Sequence, residues 1–567
     1  MASDTAKPDG TVSFDGGCDS ISVSTIASQA NPNGLQRNEL AWMLNCSCRD
    51  GGLSPRGGWL FRKVLHDNTG FYQGDFTYSP VGANPYLVYA ISGNIFKIDC
   101  ETYQIINLSA AFGLTMPATL DYFFFVQAEQ FLVIQAGDGV TLPLFFDGTT
   151  MRRSIGITNP AVAPGTPGIN ELPAATAMDY FLGRIWYVQN RTVSAGDIVG
   201  GASGTAAYNF KDSILNVTES PLVLGGDGIT VPSQDGNVIR ALAHSASIDA
   251  ALGQGRLFAG TRKAIYAINC PVNRTDWIAT DNNTQPLVTV VQIANGFIND
   301  RSIVLTNGDL FFRSLEPGVR SLQQSVRNFS QWGQVEISAN EQRIFNFEDR
   351  QLLRFTSGIF FNNRVLHTAL PRSTPQGVVC DGIIPFDVVP ISTFAASREP
   401  VWEGSYEGLE IFQLSMGDFG GRERAFAIVR SSVDNSFMLW EVMESNTTNR
   451  FDNVDSRITW MFETPAFNWD GSIGALELKK LVQGELWIDR LFGTAEFRID
   501  YRPDGSTCWN RWIEFSECSP QNTAETLHLP VGYPLPDAGQ CYKQTLTLPL
   551  PDSACQICAT GRQSNVG

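Results

Sequence analysis

The residues best suited to chemistry are eleven cysteines and four histidines. Cys46-Ser-Cys48 and Cys555-Gln-Ile-Cys558 are the two local cysteine pairs. The second pair, with Cys541, would supply three thiolates to a zinc ion. A structural site needs a fourth ligand, and only His528 lies near, with no second Cys-x-x-Cys. The odd cysteine count, scattered along the chain, also argues against a disulfide framework. We therefore expect ordinary reduced cysteines and no resident metal. His66, His244, His367 and His528 stand far apart in unlike contexts. No metalloprotease helix motif, nucleophile elbow, phosphate-cradling loop or dinucleotide fingerprint is present. Asp138 and Asp147 are the carboxylates that could face one another, but acidic residues at turn tips usually serve the turn. No catalytic, cofactor-binding or metal residue is expected.

Composition narrows the partners. The chain has 567 residues, 43% hydrophobic and 17% charged, which excludes wholesale disorder. Its net charge of -17 repels phosphate and anionic membrane, so a conventional nucleic-acid binder is not expected. Basic residues form only isolated doublets, Arg62-Lys63 and Arg152-Arg153. No window is long and apolar enough for a membrane helix, and direct membrane insertion is not expected. Met1 to Thr11 lack a secretory core, so the expectation is a chain made and kept in cytoplasm, or exported without a signal. Without a leader, sequons such as Asn107, Asn216 and Asn446 mean little.

The elements that would position any site are strands. Helix signals are sparse, and Asn38 to Leu44 could make about two turns. A hairpin recurs instead: β-branched and aromatic residues, a Gly/Asn/Asp turn, then a second such run. Turn centres fall near 93, 138, 190, 262, 308, 363 and 434. The spacing of roughly 45 to 72 residues approaches the period of four-stranded propeller blades. The reading is an all-β protein: a β-propeller of six or seven blades over 65–450, with Gly/Pro-rich insertions near 197–250 and 370–424. A stack of unrelated β-sandwiches is the alternative. Residues 1–64 form an N-terminal arm (Met1 to Asn33) and a docking hook. Residues 451–567 form a C-terminal β-sandwich-like domain ending in a polar tail.

The distinctive stretch is Gly34-Leu-Gln-Arg-Asn-Glu-Leu-Ala-Trp-Met-Leu-Asn-Cys-Ser-Cys-Arg-Asp-Gly-Gly-Leu-Ser-Pro-Arg-Gly-Gly-Trp59. It resembles the N-terminal signature of tailed-phage virion proteins of the tail-nozzle and packaged-DNA stabilisation type. The matching positions are Gly34, Leu35, Asn38, Glu39, Asn45, Arg49, Gly51, Leu53, Arg56 and Gly58. Gly57-Gly58 stands where Pro-Gly is common. By its residues alone the stretch reads as two tight turns around a short strand, a rigid hook beside an arm, suited to docking on a neighbouring subunit. The other reading is a first hairpin that closes the fold.

The resemblance implies a structural virion component in a homo-oligomeric ring, a six-fold homohexamer, below the portal or adaptor ring. Its further partners would be tail fibres or other tail proteins. Double-stranded DNA would pass through the lumen without specific binding, and carboxylates facing that lumen would lower friction. The protein would retain packaged DNA and conduct it during genome ejection. A propeller glycan hydrolase or depolymerase is the enzymatic alternative, needing two carboxylates about 5–9 Å apart. Asp504-Gly-Ser-Thr-Cys-Trp509 is similar to the Asp-box hairpin of sialidases, but occurs once and is explained by a Pro-Asp-Gly turn. A propeller adaptor with no channel is the third reading.

Overall fold

A computed structural model describes residues 14–26, 34–36, 38–49, 52–157, 170–199, 213–217, 228–232, 236–245, 255–269, 288–293, 295–306, 308–322, 336–388, 400–443, 451–452, 456–466, 486–488, 494–502, 508–518 and 542–544. The chain divides into two compact units, Met1–Ser472 and Ile473–Gly567.

The first unit is an all-β propeller. Its blades follow from alternating side chains. In the strand Tyr86–Ile91, Leu87, Tyr89 and Ile91 enter one core layer while Val88 and Ala90 enter the next. Both faces are buried, so the strand reads as a continuous apolar run. The turn after it uses Ser92 and Gly93, both at positive φ, as a two-residue hairpin turn requires. A Cβ on Gly93 would lie 2.1 Å from the Met116 carbonyl oxygen, so no other residue fits there.

Four four-stranded sheets and one three-stranded sheet form five blades. They begin at Tyr72–Tyr78, Phe124–Ala128, Met178–Phe181, Ile239–His244 and Val304–Thr306. These first strands line the middle of the ring. An eight-stranded sheet takes the remaining place. Its strands, in spatial order, are Gly358–Phe361, Arg364–Thr374, Gly377–Asp387, Tyr406–Phe419, Arg422–Arg430, Phe437–Val442 and Leu60–His66, with Val401–Trp402 pairing on Gly377–Asp387. Apolar layers lie between each pair of neighbours. The last joins Val379, Phe412 and Phe426 of the large sheet to Leu87 and Tyr89 of the first blade, which closes the ring.

Five blades replace the six or seven expected. All seven hairpins exist, but those near 363 and 434 belong to one sheet. The segment 370–424, expected as an insertion, carries the long strands that join them. Pro371 and Pro385 sit within these strands, and Leu370 takes a positive φ where the pairing skips a residue. The register is the same on either side of this gap, so the strand continues through it.

Asn38 to Leu44 is not helical. Glu39–Leu40 pairs with Gly17–Cys18 and Trp42–Leu44 pairs with Met461–Glu463. A segment this short cannot sustain a helix alone, and distant strands offer its backbone partners. Leu40, Met43, Cys46 and Cys48 are then buried together with Cys18.

In the second unit, Thr494–Tyr501 pairs with Asn510–Cys518 and Leu486–Ile488 with Tyr542–Gln544. Cys508 there is disulfide-bonded, which departs from the expectation of uniformly reduced cysteines. The 503–507 turn, the zinc candidates Cys541, Cys555 and Cys558, and His528 lie outside the described residues. No helix among the described residues is long and apolar enough to cross a membrane.

Candidate functional site

The N-terminal motif forms a seam along the large sheet. Asn45 is its hub, 7% exposed and at φ 53°. Asparagine tolerates this left-handed conformation better than most residues. Its backbone N–H donates to the Ser405 carbonyl at 2.8 Å. Its side-chain oxygen accepts from Arg56 Nε at 2.9 Å and the Glu407 N–H at 2.8 Å. Its side-chain nitrogen donates to the Thr459 carbonyl at 3.0 Å. One residue thus ties together the motif, the large sheet and the strand region beyond it.

Arg56 is 1% exposed, stacks over the Trp59 ring and donates to the Gly57 carbonyl at 3.0 Å. Arg49 Nε donates to Asp387 Oδ2 at 2.7 Å and its Nη2 to the Asn362 carbonyl at 2.9 Å. Below them, Arg364 pairs with Glu403, and Ser47 and Tyr406 both donate to that carboxylate. Burial pushes the Glu403 carboxyl up, but the Arg364 charge and three donors outweigh it and hold it below its ordinary value.

The remaining motif residues serve the same seam. Gly34–Leu35 pairs with Val23–Ile26, and Leu35 is fully buried. Asn38 donates to Asp15 at 2.8 Å, and Glu39 accepts from the Gln36 N–H at 2.7 Å. Leu53 packs on the Cys46–Cys48 cluster, and Gly58 is buried. Gly51 lies outside the described residues. Most of the motif's polar atoms are therefore engaged within this chain.

A second polar cluster lies at the middle of the ring, with no local pattern of residues to announce it. Arg301, just before the fifth blade, stacks 3.7 Å over the Tyr122 ring. Its Nη2 donates to the carbonyls of Gln73 at 2.7 Å and Phe123 at 2.8 Å. It is a spoke from the fifth blade to the inner edges of the first and second. Tyr122 donates to Asp300, while Tyr72 and Ser415 donate to Asp75. Burial works against the Arg301 charge, but Tyr122, Tyr72, Asp300 and Asp75 outweigh it and raise its pKa. Gly74 makes the approach possible: a Cβ there would lie 2.3 Å from Arg301 Nη2.

The chemical candidates among the described residues are held in contacts of the fold. Asp138 and Asp147 accept hydrogen bonds from their own turns, at Val140, Thr141, Thr149 and Thr150. Burial pushes the Cys46 thiol up to about 12 and raises Cys48 further, so both stay protonated and unreactive. His244 bonds Asp179 at 2.9 Å and stacks on Phe181. His367 is fully buried, and burial lowers its pKa to about 3. His66 lies edge-on to Phe96 and Phe437. Among the described residues, no group of three or more His, Cys, Asp or Glu could hold a metal ion.

No protein-family model matches the chain. No curated protein matches it either. Among solved structures, one of BBS1N in complex with ARL6DN aligns at 10% identity and TM-score 0.36, covering 69% of this chain and 98% of that one. A mitotic checkpoint complex structure aligns at 8% identity and TM-score 0.37, covering 69% and 94%. The propeller assignment rests on this chain's own sheet order and core layers.

Proposed function

We propose that the protein is a non-enzymatic structural component of a tailed-phage tail, a nozzle-type ring subunit. The Asn45-centred seam is the observation that carries this reading. The motif of the resemblance fastens the start of the chain to the large sheet through Asn45, Arg49 and Arg56. Such stitching suits a wall that must keep its shape while genome moves past it. The Arg301 spoke crosses the middle of the propeller, so a DNA conduit would lie between subunits rather than through one. Six copies around a lumen, with the -17 charge facing phosphate, would conduct DNA without holding it. The portal or adaptor ring and other tail proteins would be its neighbours in the virion.

Electron microscopy of the purified chain across a concentration series tests the ring. Closed rings with an open lumen support it. A monomer at every concentration, together with hydrolysis of cell-surface polysaccharide, would replace it with the depolymerase reading.

A further inference from the structure

One end of the propeller holds positive charge that contacts among the described residues do not neutralise. Each blade starts at its inner strand, and the chain returns from an outer strand to the next inner one. The inner strands therefore all start at the same end of the ring. Arg240 lies there, second in the inner strand Ile239–His244 of the fourth blade. Ile239 pairs with Thr261 and Ala241 with Gly260, so Arg240 is the extra residue of a β-bulge. Bulges re-aim the side chain they carry. Arg262 follows Thr261 in the turn beside it. Arg354 sits in the short turn of helix Leu353–Phe355, just before the first strand of the large sheet. Its ion pair with Asp121 brings in the start of the second blade.

Charge does not balance here among the described residues. The side chains of Arg240 and Arg262 make no ion pair or hydrogen bond with any described residue. Burial lowers the proton affinity of Arg240, and the neighbouring charges of Arg354 and Arg262 lower it further. Among the described residues, Asp121 is the one carboxylate in an ion pair with any of these three guanidinium groups, inside a chain of net charge -17. Holding like charges together without a counter-charge is unfavourable, and a multivalent anion would relieve it.

We propose that Arg240, Arg262 and Arg354 form a binding site for a compact multivalent oxyanion, a phosphate or phosphomonoester group. Guanidinium forks match the oxygens of phosphate two at a time. The acidic surface selects the size of the ligand. An extended polyanion such as DNA would meet the repulsion of the whole molecule, whereas a small anion is screened beyond roughly 8 Å at physiological salt. The site does not depend on the proposed tail function.

Calorimetric titration of the full chain with inorganic phosphate, in a chloride buffer at constant ionic strength, tests the site. Ribose 5-phosphate forms a second arm. Arg240→Gln and Arg262→Gln remove the unpaired charges, and Arg422→Gln removes an exposed arginine elsewhere. Circular dichroism melts establish that each variant folds. Saturable binding that weakens about tenfold or more in R240Q and R262Q, and is unchanged in R422Q, is the expected result. Tighter binding of ribose 5-phosphate than of phosphate would assign the site to a phosphomonoester, and equal binding to the free ion. No saturable binding by the folded chain, or equal weakening in all three variants, would overturn the proposal.

Discussion

Arg56 lies over the indole of Trp59, its Cζ 3.6 Å from the ring centroid, while its Nε donates to Asn45 at 2.9 Å. Stack and hydrogen bond hold one guanidinium from two directions. The arginine is thereby a packing element between the first turns of the chain and the large sheet.

Asn45→Ala removes a side chain that satisfies Arg56, Glu407 and Thr459 at once. It also places alanine at a left-handed position. We expect a loss of about 2–4 kcal/mol, read as a lowered midpoint in urea with little change in slope. Asn45→Gly relieves the backbone while losing the same bonds, so it should fall between wild type and alanine.

Glu341 gives the first unit a pH dependence. It is fully buried, and neither carboxyl oxygen has a well-formed hydrogen bond. Burial pushes it from 4.5 to about 8, with Cys18 and the Gly404 backbone only partly opposing. A pKa raised by folding means that the native state holds the proton longer. The stabilising contribution is complete below about pH 4.5 and is lost as pH rises through about 8. Stability should decline by a few kcal/mol across that window, and Glu341→Gln should remove most of that slope. Melts of both proteins from pH 5 to 9 make the comparison.

Gly74 and Arg301 should act as one unit. A Cβ at Gly74 meets Arg301 Nη2, so Gly74→Ala displaces the spoke that Arg301→Met deletes. Each should destabilise by about 2–4 kcal/mol, and the double variant should cost clearly less than the sum. Additive losses in denaturant would mean that the two side-chain positions do not communicate.

Five thiols, Cys18, Cys46, Cys48, Cys100 and Cys380, are free and buried. Burial raises the pKa of each. Iodoacetamide should leave all five unlabelled in the native protein and label them in denaturant, as mass spectrometry of the peptides would read.

What was legible in the sequence was local. Ser92-Gly93 and Asn362-Asn363 mark tight turns because their backbones need positive φ, and that need is written in residue type. The number of blades was not legible. Whether two hairpins belong to one sheet depends on the strands between them, and Pro371 and Pro385 disguised those strands as loop. The motif residues could be named, but their partners could not. Asn45 meets Glu407 across 362 positions of chain, and no local pattern encodes that meeting. Arg240 was equally silent, because a bulge is defined by the register of the opposite strand.

Immunogold labelling of purified phage particles, with antibody to this chain, asks whether the protein is a tail component. A nozzle subunit gives label concentrated at the tail of intact or tail-exposed particles. Absence of label from intact and disrupted particles, with the protein confined to the soluble fraction, would contradict it.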